Sequence, residues 1–338
     1  MLKINEKEIV TVSDDCTLKF WNAFHLKVDF TVSTETITCI CATGPKHELL
    51  VAGCHSGNFI TIKTKERSKK ETFVSAHQNL VRVLINLKSL KSRYFCSADV
   101  CGFVKVWQSG IRPVEVFQIE LPGAISYNSM VEVNNLLPTK GDYIDTSVIA
   151  CALKTHQVNL ILLCPTQVLK EKQYQIIKTF STEMKPTCLI QLSHRHLAVA
   201  VGSLKENSNI EIHDIVSGKC VSTLKHHSDM IDSLLKLDLS SKAYKVKNPY
   251  VQWVLSASRD RRIVLWKLLD GKPLSKSDYP VVKLYEPMRS GGRDIASRQS
   301  RGQSQRKTKQ GTGSAPKKNP TKVAAKTKPH VKKALITK

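Results

Sequence analysis

One short frame recurs along this chain and limits what it can fold into. Near the start, Val12-Ser13-Asp14-Asp15-Cys16-Thr17-Leu18-Lys19-Phe20-Trp21 sets a polar turn between two apolar runs, with Asp15 six positions before Trp21. Far downstream, Val254 to Leu268 reads VLSASRDRRIVLWKL. Asp260 again stands six before Trp266, with Ser256 and Ser258 just ahead of it. A third copy, Cys96 to Trp107, holds Ser97 and places Asp99 eight before Trp107, which predicts a turn two residues longer. A fourth, Asn207 to Asp214, has His213 in the Trp place, Asn207 in the turn-Asp place and Asp214 as the final Asp. Short β-rich runs on either side of a polar turn read as hairpins. Trp21 and Trp107 lie 86 residues apart, two intervals of 43, while Trp107 to His213 is 106, so the middle of the chain carries insertions. Self-similarity at such a period is the mark of a repeat architecture.

The order of small residue, turn Asp and strand Trp, with the pair His226-His227 upstream, resembles the WD40 repeat, the four-stranded blade of a β-propeller. The namesake Trp-Asp reads Trp266-Lys267 here, so the spacing carries the resemblance. It implies an all-β, WD40-type propeller over residues 1–286, followed by a disordered basic tail at 287–338. About six blades are visible; either a C-terminal strand supplies the missing first strand of blade one, or an upstream part of the ring is lacking and the ring is incomplete or seven-bladed. Blade one is expected at Glu8 to Ser13, Leu18 to Trp21 and Lys27 to Ser33, with its first strand missing. Blade two runs from Thr36 to about His77, with Lys63 in the Trp place and a turn, His55-Ser56-Gly57-Asn58, that has no Asp. Ser75-Ala76-His77 resembles the Gly-His that precedes a blade.

Blade three is expected at Leu80 to Leu87, Tyr94 to Ala98, Phe103 to Trp107 and Val114 to Ile119. Blade four lacks both Trp and turn Asp; its strands are placed at Ile125 to Val133, Ser147 to Leu153, Val158 to Leu163 and Tyr174 to Phe180, with a long loop from Asn134 to Asp145. Blade five takes Thr187 to Leu192, His196 to Val201, Ile210 to Asp214 and Cys220 to Leu224. Blade six takes Ile231 to Leu237, Trp253 to Ser256 and Ile263 to Leu268, with a lysine-bearing insertion from Ser240 to Pro249. Val281 to Tyr285 is either its outer strand or the strand that closes blade one.

The polar residues of the frame have a structural explanation under this resemblance: the turn Asp, a strand Ser, the upstream His and the Trp indole form a hydrogen-bonded set that pins the blade. The sets are Asp260, Ser256, His227 (or His226) and Trp266 in blade six, and Asp99, Ser97, His77 and Trp107 in blade three. Asp15 and Trp21 belong to blade one, and His213 and Asp214 to blade five. Ser, His and Asp together also suggest a hydrolase, but no G-x-S-x-G elbow accompanies them. No phosphate-binding glycine loop and no H-E-x-x-H is present. His194-Arg195-His196 and His226-His227 have no third ligand spaced for zinc. The reading is therefore non-enzymatic, with no cofactor and no metal. Cullin-ligase receptors of this family carry W-D-x-R; the positions after Trp21, Trp107 and Trp266 lack the Arg, which counts against that role.

Composition separates the two parts. The chain has 338 residues, of which 41% are hydrophobic, enough for a large β domain. No run approaches the ~20 apolar residues of a membrane helix, and the charged N-terminus does not read as a signal peptide. The 10 Cys include no CxxC pair and sit mostly in apolar runs, so buried free thiols in a reducing, intracellular compartment, cytoplasm or nucleus, are expected. Net charge is +24, and +14 of it falls between Arg289 and Lys338, where 15 basic residues face one acid, Asp294. Arg306, Lys307, Lys309, Lys317, Lys318, Lys322, Lys326, Lys328, Lys332 and Lys333 form a polyanion-binding tail with no aromatic for base stacking. The expected function is an interaction scaffold that binds proteins through the propeller and an acidic surface through the tail. The alternatives are an RNA-associated nuclear or nucleolar protein in ribosome or RNP assembly, and a protein bound to the acidic surface of microtubules, that is, to tubulin.

Overall fold

The computed structural model describes residues 1–67, 70–123, 125–136, 145–166, 172–237 and 251–273. These form twenty-four strands in six four-stranded antiparallel sheets, with no helix among the described residues. Each sheet is one blade built from consecutive strands. Blade one holds β1 (Leu2–Lys3), β2 (Glu8–Ser13), β3 (Thr17–Asn22) and β4 (Lys27–Ser33). Blade two holds β5 (Ile37–Thr43), β6 (Leu49–Cys54), β7 (Phe59–Lys63) and β8 (Lys70–Phe73). Blade three holds β9 (Val81–Asn86), β10 (Tyr94–Asp99), β11 (Phe103–Gln108) and β12 (Val114–Glu120). Blade four holds β13 (Ile125–Val133), β14 (Ser147–Leu153), β15 (Gln157–Leu163) and β16 (Tyr174–Ser181). Blade five holds β17 (Pro186–Gln191), β18 (His196–Val201), β19 (Ser208–Asp214) and β20 (Cys220–His227). Blade six holds β21 (Ile231–Leu237), β22 (Val251–Ser258), β23 (Ile263–Leu269) and β24 (Lys272–Pro273).

The strand composition follows from the layering. A strand whose two faces are both covered loses the polar half of its alternation and becomes a continuous apolar run. LLVAGC of β6, SVIACAL of β14 and HLAVAV of β18 are buried along their whole length. The fourth strand of each blade lies at the rim and keeps exposed positions, as in VEVFQIE of β12. Contacts between first strands run in order from β1 to β5, β9, β13, β17 and β21, which arranges the blades around an axis.

Blade faces pack through five apolar clusters, one at each of the gaps from one/two to five/six. Leu18, Phe20, Leu50 and Ile62 fill the first gap, and Phe59, Phe95 and Trp107 the second. Ile119, Ile149 and Leu153 belong to the third, Leu160, Phe180 and Leu197 to the fourth, and Ile210, Val254 and Trp266 to the fifth. Among the described residues no such cluster joins blade six to blade one. A polar tie reinforces the third gap. The buried carboxylate of Glu132 in β13 accepts the Lys88 and Ser89 amides at 2.8 and 2.9 Å, the Ser89 hydroxyl at 2.6 Å and the Ser147 hydroxyl at 3.1 Å. A carboxylate can leave water at modest cost when this many donors replace it.

Three expectations change. The first strand of blade one is not missing: β1 pairs Leu2 with Val10 and Lys3 with Ile9. A two-residue strand lacks the periodicity that would announce it. The turn of blade three is no longer than the others. Ser97 precedes Trp107 by ten positions, as Thr11 precedes Trp21 and Ser256 precedes Trp266; it is Asp99 that sits earlier, at the end of β10. In blade two the Trp place belongs to Ile62, not Lys63. Leu50 pairs with Ile62 in the register in which Val254 pairs with Trp266, and Ile62 is fully buried. The strand proposed at Val281 to Tyr285, the insertion Ser240 to Pro249, most of the loop after Asn134 and the tail at 287–338 lie outside the described residues.

Replacing Glu132 with Ala strands two buried amides, so unfolding by urea should come about 1–3 kcal/mol earlier than in the wild type. Glu132→Gln, which keeps one acceptor oxygen, should fall between the two. A loss within experimental error for Glu132→Ala would show that water replaces the tie.

Candidate functional site: the hairpin networks and their surroundings

Two blades bring the four expected polar groups together. In blade six the Trp266 indole N–H donates to Ser256 Oγ at 2.8 Å, Ser256 Oγ meets His227 Nε2 at 2.7 Å, and His227 Nδ1 meets Asp260 Oδ2 at 2.8 Å. Asp260 also accepts the Arg262 amide at 2.9 Å and the Ser228 amide at 3.2 Å. The member of the His pair is therefore His227; His226 lies edge-on to Trp266 outside the set. Blade three repeats the arrangement: Trp107 donates to Ser97 at 2.8 Å, and Ser97 meets His77 Nε2 at 2.6 Å. His77 Nδ1 lies 3.4 Å from Asp99, a looser contact than in blade six, while Asp99 accepts the Cys101 and Phe103 amides at 2.9 and 3.1 Å.

The hydrogen-bond directions fix the histidine tautomer. A serine oxygen that accepts the indole N–H turns its own proton toward His Nε2, and Nδ1–H then serves the carboxylate. Burial holds His227 below its ordinary 6.5 despite the pull of Asp260. Burial alone would raise Asp260, but His227 and the Ser228 and Arg262 amides outweigh it and hold the carboxyl below 3.8.

Asp, His and Ser in this order have the connectivity of a hydrolytic triad. Ser97 and Ser256, however, are each 0% exposed, and both hydroxyl oxygens already carry an indole N–H. A nucleophile must reach a substrate carbonyl, and these two cannot. Their role on this geometry is to join the second and third strands of a blade to the connection that enters it.

The other blades substitute different groups. In blade one Trp21 donates to Thr11 Oγ1 at 2.7 Å, whereas Asp15 is half exposed and bonds within its own turn to the Thr17 amide and hydroxyl. Asp15 and Trp21 thus belong to one hairpin but not to one network. In blade two Glu35 takes the bridging part, accepting Ser56 and the Asn58 side chain. In blade five His213 Nε2 donates to Glu211 Oε2 at 2.7 Å, and Glu211 Oε1 accepts the Glu183 amide at 2.9 Å. Asp214 stands apart, paired with Arg195 and capping the Ser217 amide, and its carboxyl is held down to about 2: burial opposes the shift, and the Ser217 and Arg195 bonds outweigh it. Thr11, Glu35 and Glu211 carry no mark in the sequence; only the groups that folding brings beside them distinguish them: the Trp21 indole, the Ser56–Asn58 turn and the His213 ring.

Glu211, His213 and Cys220 also put an oxygen, a nitrogen and a sulfur donor within 4.8 Å of one another. Such a set suits a borderline-soft cation such as zinc. The Glu211–His213 bond already satisfies the carboxylate and one ring nitrogen, so binding through Nε2 would have to break it. All ten cysteines are free; burial raises Cys39 and Cys188 to about 12, which makes them inert thiols. First strands of blades one to four line a cavity of about 390 Å³ with Lys3, His47, Lys88 and Glu132 among its polar groups.

Two outcomes test the blade-six network. Replacing Trp266 or Asp260 should cost about 1–3 kcal/mol each, and the double variant should cost less than the sum, because the two share one chain of bonds; strictly additive losses would uncouple them. The second outcome concerns acid. A folded state that keeps His227 neutral is stabilised above the unfolded pKa of about 6.5, and this contribution is lost as pH falls toward the lower folded value. Asp260, also depressed, acts in the same direction further into acid. Melting temperature should therefore drop between pH 7 and pH 5, and less so in His227→Gln; equal drops would remove His227 from the account.

Comparison with known proteins agrees with this geometry. The family described as WD domain, G-beta repeat, matches residues 218–267, the stretch that holds His227, Ser256, Asp260 and Trp266. No curated protein matches the chain by sequence. Among solved structures, the WD40 β-propeller domain of Doa1 is similar at 15% identity and a TM-score of 0.57, covering 81% of this chain and 79% of that one. The computationally designed Ika8 protein is similar at 16% identity and a TM-score of 0.54, covering 81% and 72%. The hairpin networks and the six four-stranded sheets give the chain the fold of a WD40-type β-propeller, and its residues 218–267 carry the WD-repeat profile.

Proposed function

We propose that the chain is a non-enzymatic interaction scaffold, with the propeller presenting its faces to protein partners and residues 289–338 anchoring it to an acidic surface. The observation that carries the second half is the distribution of charge: +14 of the net +24 lies in the last 50 residues, with one acid and no aromatic among them. A polycation of this kind binds phosphates or acidic protein by releasing counterions, and it does not read bases. The first half is supported by the fold, since propellers serve as platforms, and by the enclosure of both Ser-His-Asp sets.

A salt titration tests the anchor. Binding of the full chain to a homopolymer RNA and to microtubules should fall steeply between low and physiological salt. Changing the RNA sequence should matter little. Lys317→Glu, Lys318→Glu, Lys322→Glu and Lys326→Glu together should lower both affinity and salt slope while the propeller melts as before. Equal binding by residues 1–288, with the same slope, would move the anchor onto the propeller. The arm that binds at physiological salt identifies which acidic surface is used.

A further inference from the structure

Blade five departs from the others at the outer hairpin that β19 forms with β20. The register slips between Ile212 and His213: Ile212 pairs with Ser222, and His213 then pairs with Cys220. A bulge of this kind re-aims the side chains beside it. Here a ring nitrogen of His213, a carboxylate oxygen of Glu211 and Cys220 Sγ gather within 4.8 Å of one another. Glu211 and His213 are buried and Cys220 is exposed, so the group meets solvent on the cysteine side.

The charge of this group is not balanced. An enclosed carboxylate needs a positive partner or a full set of donors. Glu132 draws four donors, whereas Glu211 has only the His213 ring and the Glu183 amide. Among the described residues no lysine or arginine pairs with Glu211. Cys220 Sγ has only long contacts, to the Ser222 carbonyl at 3.4 Å and the Thr223 hydroxyl at 3.8 Å.

We propose that Glu211, His213 and Cys220 form a binding site for a borderline-soft divalent cation, zinc above all. Carboxylate and thiolate together cancel the charge of the ion, and their oxygen and sulfur are zinc donors, as is the imidazole nitrogen. Water on the exposed side supplies the fourth position of a tetrahedron. Zinc bonds of about 2.0–2.3 Å set tetrahedral ligands roughly 3.3–3.6 Å apart. The His213–Glu211 contact, now 2.7 Å, therefore opens slightly as Cys220 closes in. The ion replaces the proton between Nε2 and the carboxylate. That proton moves to Nδ1 as the tautomer changes, and the Cys220 thiol releases its own to solvent. Nδ1 is enclosed and has no hydrogen-bond partner, so the exchange gives up only the Nε2–Glu211 bond. Phe180 stacks on the imidazole at 4.8 Å between centroids, a contact that either tautomer keeps. The ion then ties β19 to β20 in a blade that has no indole.

Cobalt(II) tests the site on the reduced full-length chain, because a cobalt–thiolate bond absorbs at wavelengths beyond those of the aromatic residues. One equivalent should raise such a band, and zinc should bleach it by displacement. Cys220→Ser should abolish the band, while Cys101→Ser, at the other exposed cysteine, should leave it. Glu211→Gln should keep the circular dichroism spectrum and weaken cobalt binding more than about 100-fold, beyond what residues around a metal's ligands contribute. Zinc should raise the melting temperature of the wild type and not of Cys220→Ser. Absence of the band, or a band that survives Cys220→Ser, would overturn the proposal. So would a Glu211→Gln chain that binds cobalt as tightly as the wild type.

Discussion

A β-blade has two faces, and each must be covered. That constraint governs this molecule more than any single bond. LLVAGC, SVIACAL and HLAVAV have nearly no polar position to offer water, so β6, β14 and β18 exist as strands only between neighbours. Burial of a large aliphatic side chain stabilises by about 1.5–3 kcal/mol, and in this architecture nearly all of it is collected between blades. A blade on its own would keep its backbone ladder and lose its reason to fold.

The hairpin networks are secondary to that packing and serve a different purpose. They decide how the connection from one blade meets the next. His77 and His227 each reach from an entering segment to a serine on the second strand, and Glu35 reaches instead to Ser56 and Asn58 in the turn between β6 and β7. Because burial favours the neutral ring of His227 between a carboxylate and a hydroxyl, the blade-six joint tolerates neutral pH better than acid. Their likeness to a catalytic triad comes from shared hydrogen-bond logic, with the hydroxyl turned inward.

The fold was largely legible because strand and turn chemistry is local. β13, β14, β18 and β21 lie at the residues where alternation and turn signals put them, even in blade four, which has neither Trp nor turn Asp. What stayed hidden depended on partners. β1 is two residues long and is a strand only because Val10 and Ile9 face it. Ile62 looks like any core residue until its register with Leu50 shows that it holds the Trp position. Glu211 is one acidic residue among 28 until His213 lies beside it. The resemblance to WD repeats located blades one, three and six well and described blade five poorly, because there the indole and serine have been exchanged for an imidazole and a carboxylate.

That exchange changes what the hairpin can become. Where an indole reaches across to a serine or threonine ten residues earlier, the turn acts as a ruler, and one inserted residue would send the third strand's side chains to the wrong face. In blade five His213 finds its partner two positions away on its own strand. The connection between β18 and β19 is not set by an indole bond, and it is longer: Leu197 pairs with His213 across 16 positions, where Phe95 and Trp107 are separated by 12. Residues 202–207 form a connection whose length no indole–hydroxyl bond sets; an added residue there would have to spare the Lys205 amide's bond to Asp229 at 2.8 Å, which ties the loop to the entry of blade six.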